Sequence, residues 1–284
     1  MSQQARHVLN QLAHRLAEAG IDGPRRDANL ILQMAIGHQD TILSHHDISL
    51  DDTASQRLED LMARRIAGCP VSRLRGMREF YSLPFIISDA TLDPRPDSEL
   101  LVEQTLRFLK HKEGSPVIAD FGTGSGCLLL AVLANHPSAT GVGIDISQQA
   151  LGIAAENASQ LGLSQRSDFI CSDWDQRLAS DAKFDVIIAN PPYIAETDKE
   201  SLQKEVRDYD PPTALFAGQD GLSDYRQLMP IIAKRLNDDG AAFVEIGQHQ
   251  ENDVIAIAQA AGLICTSQEQ DLAGIIRCLI FHKG

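Results

Sequence analysis

Residues 117–126 read VIADFGTGSG, and this stretch decides how the rest of the chain is interpreted. The apolar run Val117–Phe121 is typical of a buried strand, and the glycines of residues 122–126 give a tight turn before a helix that begins near Cys127. Glycines let a ligand lie against the backbone, and the start of a helix offers N–H groups. A strand, a glycine turn and a helix in this order predict a site for a nucleotide-type cofactor. Dinucleotide dehydrogenases share this motif, and a purely structural turn is the other alternative.

The rest of the chain after this motif alternates between strands and helices. We predict strands near residues 116–121, 140–145, 167–171, 184–189, 240–246, 263–268 and 275–282, and helices near 125–135, 147–160, 222–236 and 251–261. Strands that alternate with helices form a mostly parallel sheet covered on both faces. The last two strands lack a helix between them, so we expect them to pair antiparallel at one edge. The predicted fold class is α/β, with a Rossmann-like, seven-stranded domain.

Two further strands end in residues that suit the same cofactor. The second strand ends in Asp145, and an acid at that position can accept hydrogen bonds from ribose hydroxyls. Asp145 as a helix N-cap is the alternative, which Ser147 weakens because a serine there can fill that role. Trp174 follows the third strand. Its indole either forms a wall beside an adenine ring or packs in the core. NAD and S-adenosylmethionine both satisfy these features.

The sequence Asn190-Pro191-Pro192-Tyr193 comes directly after the apolar strand near residues 184–189. A proline-stiffened turn capped by a packing tyrosine is the alternative interpretation. Ligands bind at the carboxyl ends of the strands in a sheet of this kind, so the position favours a chemical site. The motif therefore predicts where the reaction takes place.

The residue types in this motif fit methyl transfer to an amide nitrogen. Such a nitrogen is a poor nucleophile because its lone pair is delocalised, so the site must hold it in line with the sulfonium methyl. The Asn190 side-chain oxygen and the Pro191 carbonyl can accept its two N–H bonds and stabilise the positive charge that develops. The two prolines restrict the backbone and so orient those acceptors before the substrate binds. Tyr193 can pack against the flat face of an amide or a nucleobase. Because the alkylated nitrogen gives its proton to water, we assign no catalytic His or Cys.

Residues 1–75 show only helical periodicity. Apolar residues recur every three or four positions in three segments, which we expect to end near Gly20, Gly37 and Gly68, with Asp27 starting the second. This pattern predicts a small helical bundle without strands. Residues 76–98 predict a hairpin and an extended linker, and the α/β domain occupies residues 99–284 after a helix start capped by Asp97.

Composition and charge limit the classes of function. The net charge of −14 at pH 7 lies outside residues 1–75, where nine Arg balance nine Asp and Glu. An acidic catalytic domain repels phosphate backbones, so we expect no direct nucleic-acid partner. The five Cys and nine His show no metal-ligand spacing, and no apolar run suits a signal peptide or a membrane span. We therefore expect a metal-free, cytoplasmic protein that does not engage membranes, and a monomer.

With these motifs in hand, the chain resembles the release factor glutamine methyltransferases (the HemK/PrmC family) over nearly its whole length. The Asn-Pro-Pro-Tyr motif alone also occurs in adenine methyltransferases, but the set of matching segments is specific. The matching segments are Arg95–Glu99, Asp120–Gly126, Gly143–Ser147, Asn190–Tyr193, Glu205–Pro211, Gly221-Leu222 with Tyr225-Arg226, and Glu245–Gly247.

The resemblance implies a substrate-recognising N-terminal helical domain, a hairpin linker and a seven-stranded domain that uses S-adenosylmethionine and releases S-adenosylhomocysteine. It also implies N5-methylation of the glutamine in the Gly-Gly-Gln motif of class I peptide chain release factors, which tunes translation termination. By that analogy the cofactor contacts are Asp120, Gly122, Thr123, Gly124, Ser125, Gly126, Asp145, Trp174 and Asn190. The same analogy implies that the substrate amide is held by Asn190, Pro191, Pro192 and Tyr193, with Asn190, Pro191 and Tyr193 acting in catalysis.

Three positions depart from the usual pattern of that family. Asp93 stands where an apolar residue usually precedes Pro-Arg-Pro, and Asp210 replaces a usual Glu before Pro211. Residues 274–277 lack the acid often found just before Arg277. None of these touches the proposed chemistry, although the first two lie in segments that could shape substrate access.

Three other functions share parts of this pattern. A sister enzyme would methylate a ribosomal protein glutamine, and an N6-adenine methyltransferase would act on nucleic acid through the shared motif. A dehydrogenase-type or non-catalytic dinucleotide binder would need only the glycine turn and Asp145. The nucleic-acid alternative requires a basic patch. The arginines that could form one are Arg64, Arg65, Arg73, Arg75 and Arg78. The alternative for these arginines is an ordinary solvated helix surface.

Overall fold

The structure is a computed structural model that describes residues 2–38 and 40–284. The chain divides into two compact units. The first comprises Met1–Gly76 together with Lys204–Tyr209, and the second comprises Met77–Gln203 together with Asp210–Gly284. The predicted linker, residues 76–98, falls almost entirely within the second unit. The chain therefore passes from one unit to the other three times, at residues 76–77, 203–204 and 209–210.

The elements are numbered in chain order. The helices are α1 Ala5–Glu18, α2 Pro24–Ile36, α3 Asp52–Ile66, α4 Val71–Arg75, α5 Glu99–Leu109, α6 Cys127–Asn135, α7 Gln148–Gln160, α8 Lys204–Tyr209, α9 Ser223–Arg235 and α10 Glu251–Ala260. The strands are β1 Ser2–Gln4, β2 Asp47–Ser49, β3 Met77–Phe80, β4 Leu83–Ile86, β5 Val117–Phe121, β6 Thr140–Asp145, β7 Ser167–Cys171, β8 Phe184–Ala189, β9 Leu236–Glu245, β10 Leu263–Gln270 and β11 Ile276–Lys283. Short 3₁₀ turns lie at Pro96–Ser98, Glu196–Ser201 and Pro212–Ala214.

The first unit is helical, as its periodicity predicts, and its apolar stripes meet in one core. That core includes Val8, Leu12, Leu16, Ile31, Leu32, Leu58 and Met62. Two details of the prediction are wrong. Helix α2 begins at Pro24, after Gly23 in the left-handed conformation, so Asp27 lies inside the helix and does not start it. Strands β1 and β2 also pair antiparallel, and at three residues each they are too short to give a periodic signal.

A buried ion-pair cluster around Arg65 explains why α8 belongs to the first unit. The Arg65 side chain is 5% exposed, and its Nε donates to Asp27 Oδ2 at 2.7 Å. A second guanidinium nitrogen lies 2.7 Å from Glu205 Oε1 in α8. A buried guanidinium needs compensating negative charge, which Asp27 of α2 and Glu205 of α8 both supply. The two helices are therefore held to the same arginine.

The second unit contains a seven-stranded sheet in the order β10-β11-β9-β8-β5-β6-β7. Strands β9, β8, β5, β6 and β7 run parallel, whereas β11 pairs antiparallel with both β9 and β10. The predicted α/β class, the seven strands and the antiparallel pair at one edge are confirmed.

Strand β8 shows why the sheet is covered on both faces. Val186 and Ile188 point into a core that includes helices α5 and α6. Ile187 and Ala189 point into a second core that includes helices α9 and α10. Successive side chains alternate between faces, so a strand buried on both sides is apolar along its buried length, as Val186–Ala189 are here.

The segment before the sheet is a hairpin, as predicted, but the helix that follows it does not begin at the predicted cap. Strands β3 and β4 pair antiparallel through Tyr81 and Ser82, which both have positive φ, at 50° and 60°. Helix α5 begins after the 3₁₀ turn at Pro96–Ser98, and its N-cap position makes no side-chain hydrogen bond. Asp97 is therefore not the cap, because the 3₁₀ turn shifts it outside the capping position.

The winding of the chain reverses at β5. From β5 it proceeds to β6 and β7 on one side, then crosses to β8 and β9 on the other. The loops that follow β5 and β8 therefore diverge and leave a crevice at the carboxyl edge, where ligands bind in open α/β sheets. Within the described residues, no helix is both long and apolar enough to cross a membrane.

We predict that Arg65→Ala lowers the free energy of unfolding by roughly 3 kcal/mol, because it leaves the buried Asp27 carboxylate uncompensated. Urea denaturation followed by circular dichroism measures the change. Arg15→Ala is the matched control, since Arg15 pairs with Glu59 on the exposed surface of the same unit and should cost less than about 1 kcal/mol. Equal losses in the two variants would contradict the role assigned to the Arg65 cluster.

Candidate active site

A cavity of about 410 Å³ lies at the carboxyl edge of the sheet, within the size range of small-molecule sites. It collects residues from the loops after β5, β6, β7 and β8. The predicted site residues that line it are Gly122, Thr123, Gly124, Ser125, Asp145, Trp174, Asn190 and Pro192. Four other predicted residues, Asp120, Gly126, Pro191 and Tyr193, lie outside its wall.

The glycine loop forms an open cradle over the start of α6. Gly122, Gly124 and Gly126 all have positive φ, at 74°, 54° and 80°, which side chains rarely adopt. A Cβ built on Gly122 would meet no atom within 4 Å, so space above the loop is open to a ligand. The Gly122 and Thr123 amides donate to the Ile144 carbonyl at 2.8 and 3.0 Å. These hydrogen bonds to β6 fix the loop, and its exposed surface remains open to contact a ligand.

Asp145 lies at the end of β6, as predicted, and already carries two hydrogen bonds. Its Oδ2 accepts from the Gly124 amide at 2.9 Å and its Oδ1 from the Ser147 amide at 2.8 Å. Ser147 is the cap of α7, because its Oγ accepts from the Ala150 amide. Each carboxylate oxygen has two lone pairs, so Asp145 can hold the glycine loop and still accept two hydroxyl groups.

Asp120 lies beneath the glycine loop and is fully buried. Its Oδ2 accepts from the Thr123 hydroxyl at 2.7 Å, whereas Oδ1 has no hydrogen-bond partner in the described part of the chain. Burial raises the pKa of Asp120 to about 7, and the Thr123 hydrogen bond opposes that rise. Asp120 therefore supports Thr123 from below and does not face the cavity.

The indole of Trp174 forms part of the cavity wall. Its backbone has a φ of 46°, in the left-handed region, and its ring leans on Phe121 with centroids 6.4 Å apart. A positive φ is costly for a bulky residue, so the turn after β7 is held by its surroundings in a conformation that aims the indole at the cavity.

The Asn190 side chain lines the cavity in a defined orientation. Its Nδ2 donates to Ser98 Oγ at 3.1 Å, which turns Oδ1 away from Ser98 and leaves it as an acceptor. Pro191 is buried behind it, and Tyr193 is half-buried and packs against the core that contains α9. Burial raises the pKa of the Tyr193 hydroxyl.

Gln250 holds the backbone of this motif in place, a function that the sequence did not reveal. Its Nε2 donates to the Tyr193 carbonyl at 3.0 Å, and its Oε1 accepts from the Gly247 amide at 2.9 Å. Gly221 lies so close that a Cβ there would be 2.4 Å from the Tyr193 carbonyl oxygen. Only a glycine allows that approach, which explains why the loop before α9 carries one.

Glu245 was also missed as a site residue. It is 2% exposed at the end of β9, and burial raises its pKa to about 7, opposed by Ser98, Arg277 and Asn190. The sequence carried a usable signal, since an acid ends an otherwise apolar strand.

The two acidic departures from the family pattern contact each other. The Asp93 amide donates to Asp210 Oδ1 at 3.2 Å, and Arg95 pairs with Asp210 Oδ2. Arg95 and Pro211 both line the cavity. Asp210 therefore ties together the two loops that form this part of the cavity wall.

Two family models match this chain. The PrmC N-terminal domain matches residues 7–76, and the Methyltransferase small domain matches residues 78–206. The release factor glutamine methyltransferase of Bradyrhizobium diazoefficiens is 42% identical, over 96% of this chain and 92% of its own. The chain belongs to the release factor glutamine methyltransferase family. The enzyme of that name from Rhodospirillum rubrum is also 42% identical, over 97% of this chain and 84% of its own.

Family membership makes this protein an S-adenosylmethionine-dependent methyltransferase, and the dehydrogenase interpretation is therefore wrong. Among solved structures, the hMettl16 catalytic domain in complex with MAT2A 3′UTR hairpin 6 matches with a TM-score of 0.56. It is 16% identical, over 78% of this chain and 81% of that chain, and so supports the fold alone.

We predict that Asp120→Asn makes this methyltransferase more stable at high pH. A carboxyl whose pKa rises from 3.8 to about 7 on folding destabilises the folded state increasingly as pH climbs through that window. The variant and the wild type should therefore unfold alike at pH 4 and differ by roughly 4 kcal/mol at pH 8. Urea denaturation across this range tests the prediction, with Asp181→Asn as the control at an exposed position. A gap that does not change with pH would contradict it.

Proposed function

We propose that this protein transfers a methyl group from S-adenosylmethionine to N5 of the glutamine in the Gly-Gly-Gln motif of class I peptide chain release factors. The methylation would tune translation termination. The observation that carries the proposal is the orientation of Asn190, whose side-chain oxygen is left as an acceptor at a cofactor-sized cavity. The relatives from Bradyrhizobium and Rhodospirillum carry the corresponding name.

The cavity fits the cofactor on three counts. It is about 410 Å³ in volume, its glycine cradle is open above Gly122, and Asp145 retains lone pairs for two hydroxyls. We assign cofactor contacts to the loop Gly122–Gly126, Asp145, Trp174 and Asn190, with Asp120 acting through Thr123. Bound S-adenosylmethionine supplies an activated methyl group, so the proposal includes no metal, and S-adenosylhomocysteine is the product.

The residues of the Asn-Pro-Pro-Tyr motif position the nucleophile. The Asn190 Oδ1 and the Pro191 carbonyl accept the two N–H bonds of the glutamine amide, and Pro192 keeps that backbone rigid. Tyr193 walls the amide plane. The nitrogen lone pair forms the new N–C bond as the methyl–sulfur bond breaks, and its electron pair stays on sulfur. The nitrogen then loses a proton to water, so no His or Cys is required.

A protein substrate fits this chain better than a nucleic acid. Of the arginines considered for a basic patch, Arg65 is buried against Asp27 and Glu205 and cannot reach a phosphate. The second unit carries the net negative charge, which repels a phosphate backbone. We therefore propose a monomeric, cytoplasmic enzyme whose partner is the release factor itself, without membrane or direct nucleic-acid contact. A glutamine in a ribosomal protein is the second candidate substrate, and it is supported only because its side-chain amide would react in the same way.

We predict that incubating the wild type with S-adenosylmethionine and a class I release factor adds one methyl to the Gly-Gly-Gln glutamine. Mass spectrometry of the tryptic peptide measures the gain. Asn190→Ala should lower the rate by roughly 100-fold or more with nearly unchanged S-adenosylhomocysteine affinity, because it removes an acceptor that acts on the amide. Asn135→Ala, at an exposed position in α6, is the matched control. No methyl gain with cofactor bound would contradict the proposed substrate, and a large loss of cofactor affinity in Asn190→Ala would contradict the assigned role.

We further propose that the first unit recognises the protein substrate. Deleting residues 1–75 should raise KM for the intact release factor roughly tenfold, while kcat/KM for a short Gly-Gly-Gln peptide stays constant. Steady-state kinetics with both substrates measures this. Because α8 would lose its partners in this variant, the peptide serves as the internal control. Equal losses with both substrates would indicate damage to the catalytic unit, and an unchanged KM for the release factor would refute recognition by this unit.

A further inference from the structure

Glu245 lies directly behind the residue that we assign to the substrate amide. Ala189 of β8 pairs with Val244 of β9 in parallel register, so the next residues, Asn190 and Glu245, are neighbours at the carboxyl edge. The cavity wall at this place is formed by Asn190 and Ser98, and Glu245 lies outside it. Glu245 therefore does not touch the substrate, and its nearest links to the cavity are these two side chains.

The Glu245 side chain is costly to bury and incompletely satisfied. Its Oε2 is buried without a hydrogen-bond partner among the described residues. Its cross-strand partner in β11 is Cys278, and the preceding side chain on the same face of β9 is Phe243, so the surroundings are apolar. A purely structural site in this setting is better filled by an apolar side chain, so the carboxyl group points to a chemical role.

A chain of polar groups connects Glu245 to the amide site. The Asn190 Nδ2 donates to Ser98 Oγ, so the Ser98 hydroxyl hydrogen is left for another acceptor. Ser98 is 3% exposed, and hydrogen bonding from it favours the ionised form of Glu245. The Asn190 side chain also favours the ionised form of Glu245, so Asn190, Ser98 and Glu245 form one polar cluster in which each contact strengthens the others.

We propose that Glu245 is a positioning residue for methyl transfer, acting on Asn190 directly and through Ser98 to hold the Asn190 amide with Oδ1 towards the substrate nitrogen. This inference rests on the proposed function. An ionised Glu245 accepts from Ser98, fixes the direction of the chain and places negative charge behind Asn190, which stabilises positive charge on the nitrogen. A protonated Glu245 carries its own hydrogen, which competes with Asn190 for Ser98 Oγ and releases the amide from its orientation.

The ionisation of Glu245 gives the proposal a pH signature. Burial raises its pKa to about 7, so the rate of the chemical step should rise with pH through that value and then level off. The charged groups that act on it are Arg277, which lowers its pKa, and Asp97, which raises it. The other titratable groups that it influences are Tyr193, Tyr225, Cys127 and Cys278.

A second carboxyl, Asp120, also has a pKa of about 7 and must be separated from Glu245. Asp120 supports the glycine loop through Thr123, so its ionisation acts on cofactor binding. Measuring kcat with both substrates saturating removes that contribution. Asp120→Asn should therefore keep the rise of kcat near pH 7, which Glu245→Gln loses.

The experiment measures kcat, KM and S-adenosylhomocysteine affinity from pH 6 to 9 for the holoenzyme acting on an intact release factor. Glu245→Gln keeps the shape of the side chain but removes its charge. We expect kcat on the high-pH plateau to fall about tenfold and to become independent of pH near 7, with unchanged cofactor affinity. Ser98→Ala should give a similar loss, and combining the two should add little, because both break one chain. Glu269→Gln, the same change on edge strand β10, is the control.

Several results would overturn the inference. These are a wild-type kcat that is flat across pH 7, a Glu245→Gln variant with the wild-type kcat and pH profile, and additive losses in the double variant. The wild-type pH profile and the Ser98→Ala measurement remain informative even if the Glu245→Gln variant fails to fold. A wild type that does not methylate glutamine refutes the proposed function instead, whereas an active wild type beside an unaffected Glu245→Gln refutes only this inference.

Discussion

The parallel pairing of β5 with β8 is the constraint on which the site depends. Phe121 pairs with Ala189, so the glycine loop and the Asn-Pro-Pro-Tyr motif leave the sheet side by side although about seventy residues separate them in the chain. The pairing of β5 with β6 brings Asp145 to the same edge in the same way. A shift by one residue would turn each of these strands over, so the register of apolar side chains also fixes the register of the chemistry.

Behind this edge, the site is held by polar side chains that act on backbone. Asn157 accepts from the Ile86 amide and donates to the Ser125 carbonyl, so it joins the hairpin to the glycine loop. Gln250 does the same for Tyr193 and Gly247. Buried amides suit this task, because each offers donors and an acceptor without the cost of burying a charge. The reacting groups are thus oriented before a substrate arrives, which is the condition for electrostatic catalysis.

The sequence predicted what local pattern controls and missed what distant contacts control. The strands of the sheet were found because β8 and its neighbours are apolar and separated by amphipathic helices. The glycine loop, Asp145 and Asn190 were found because each follows a strand directly. Glu245 and Gln250 were missed as site residues because their partners, Ser98, Asn190 and Tyr193, lie far away in the chain. Asp27 was misread as a helix start for a local reason instead, because Gly23 and Pro24 already mark the beginning of α2.

The discontinuity of the first unit has a consequence for how such proteins can recombine. Residues 204–209 are encoded in the middle of the catalytic sequence, yet they share the Arg65 cluster with the N-terminal helices. A chimera that exchanges only the N-terminal gene segment would combine an Arg65 from one parent with a Glu205 from another. A functional chimera must therefore exchange both segments, the N-terminal helices and residues 204–209. Substitutions at Glu205 should be constrained by the N-terminal bundle as much as by the catalytic unit.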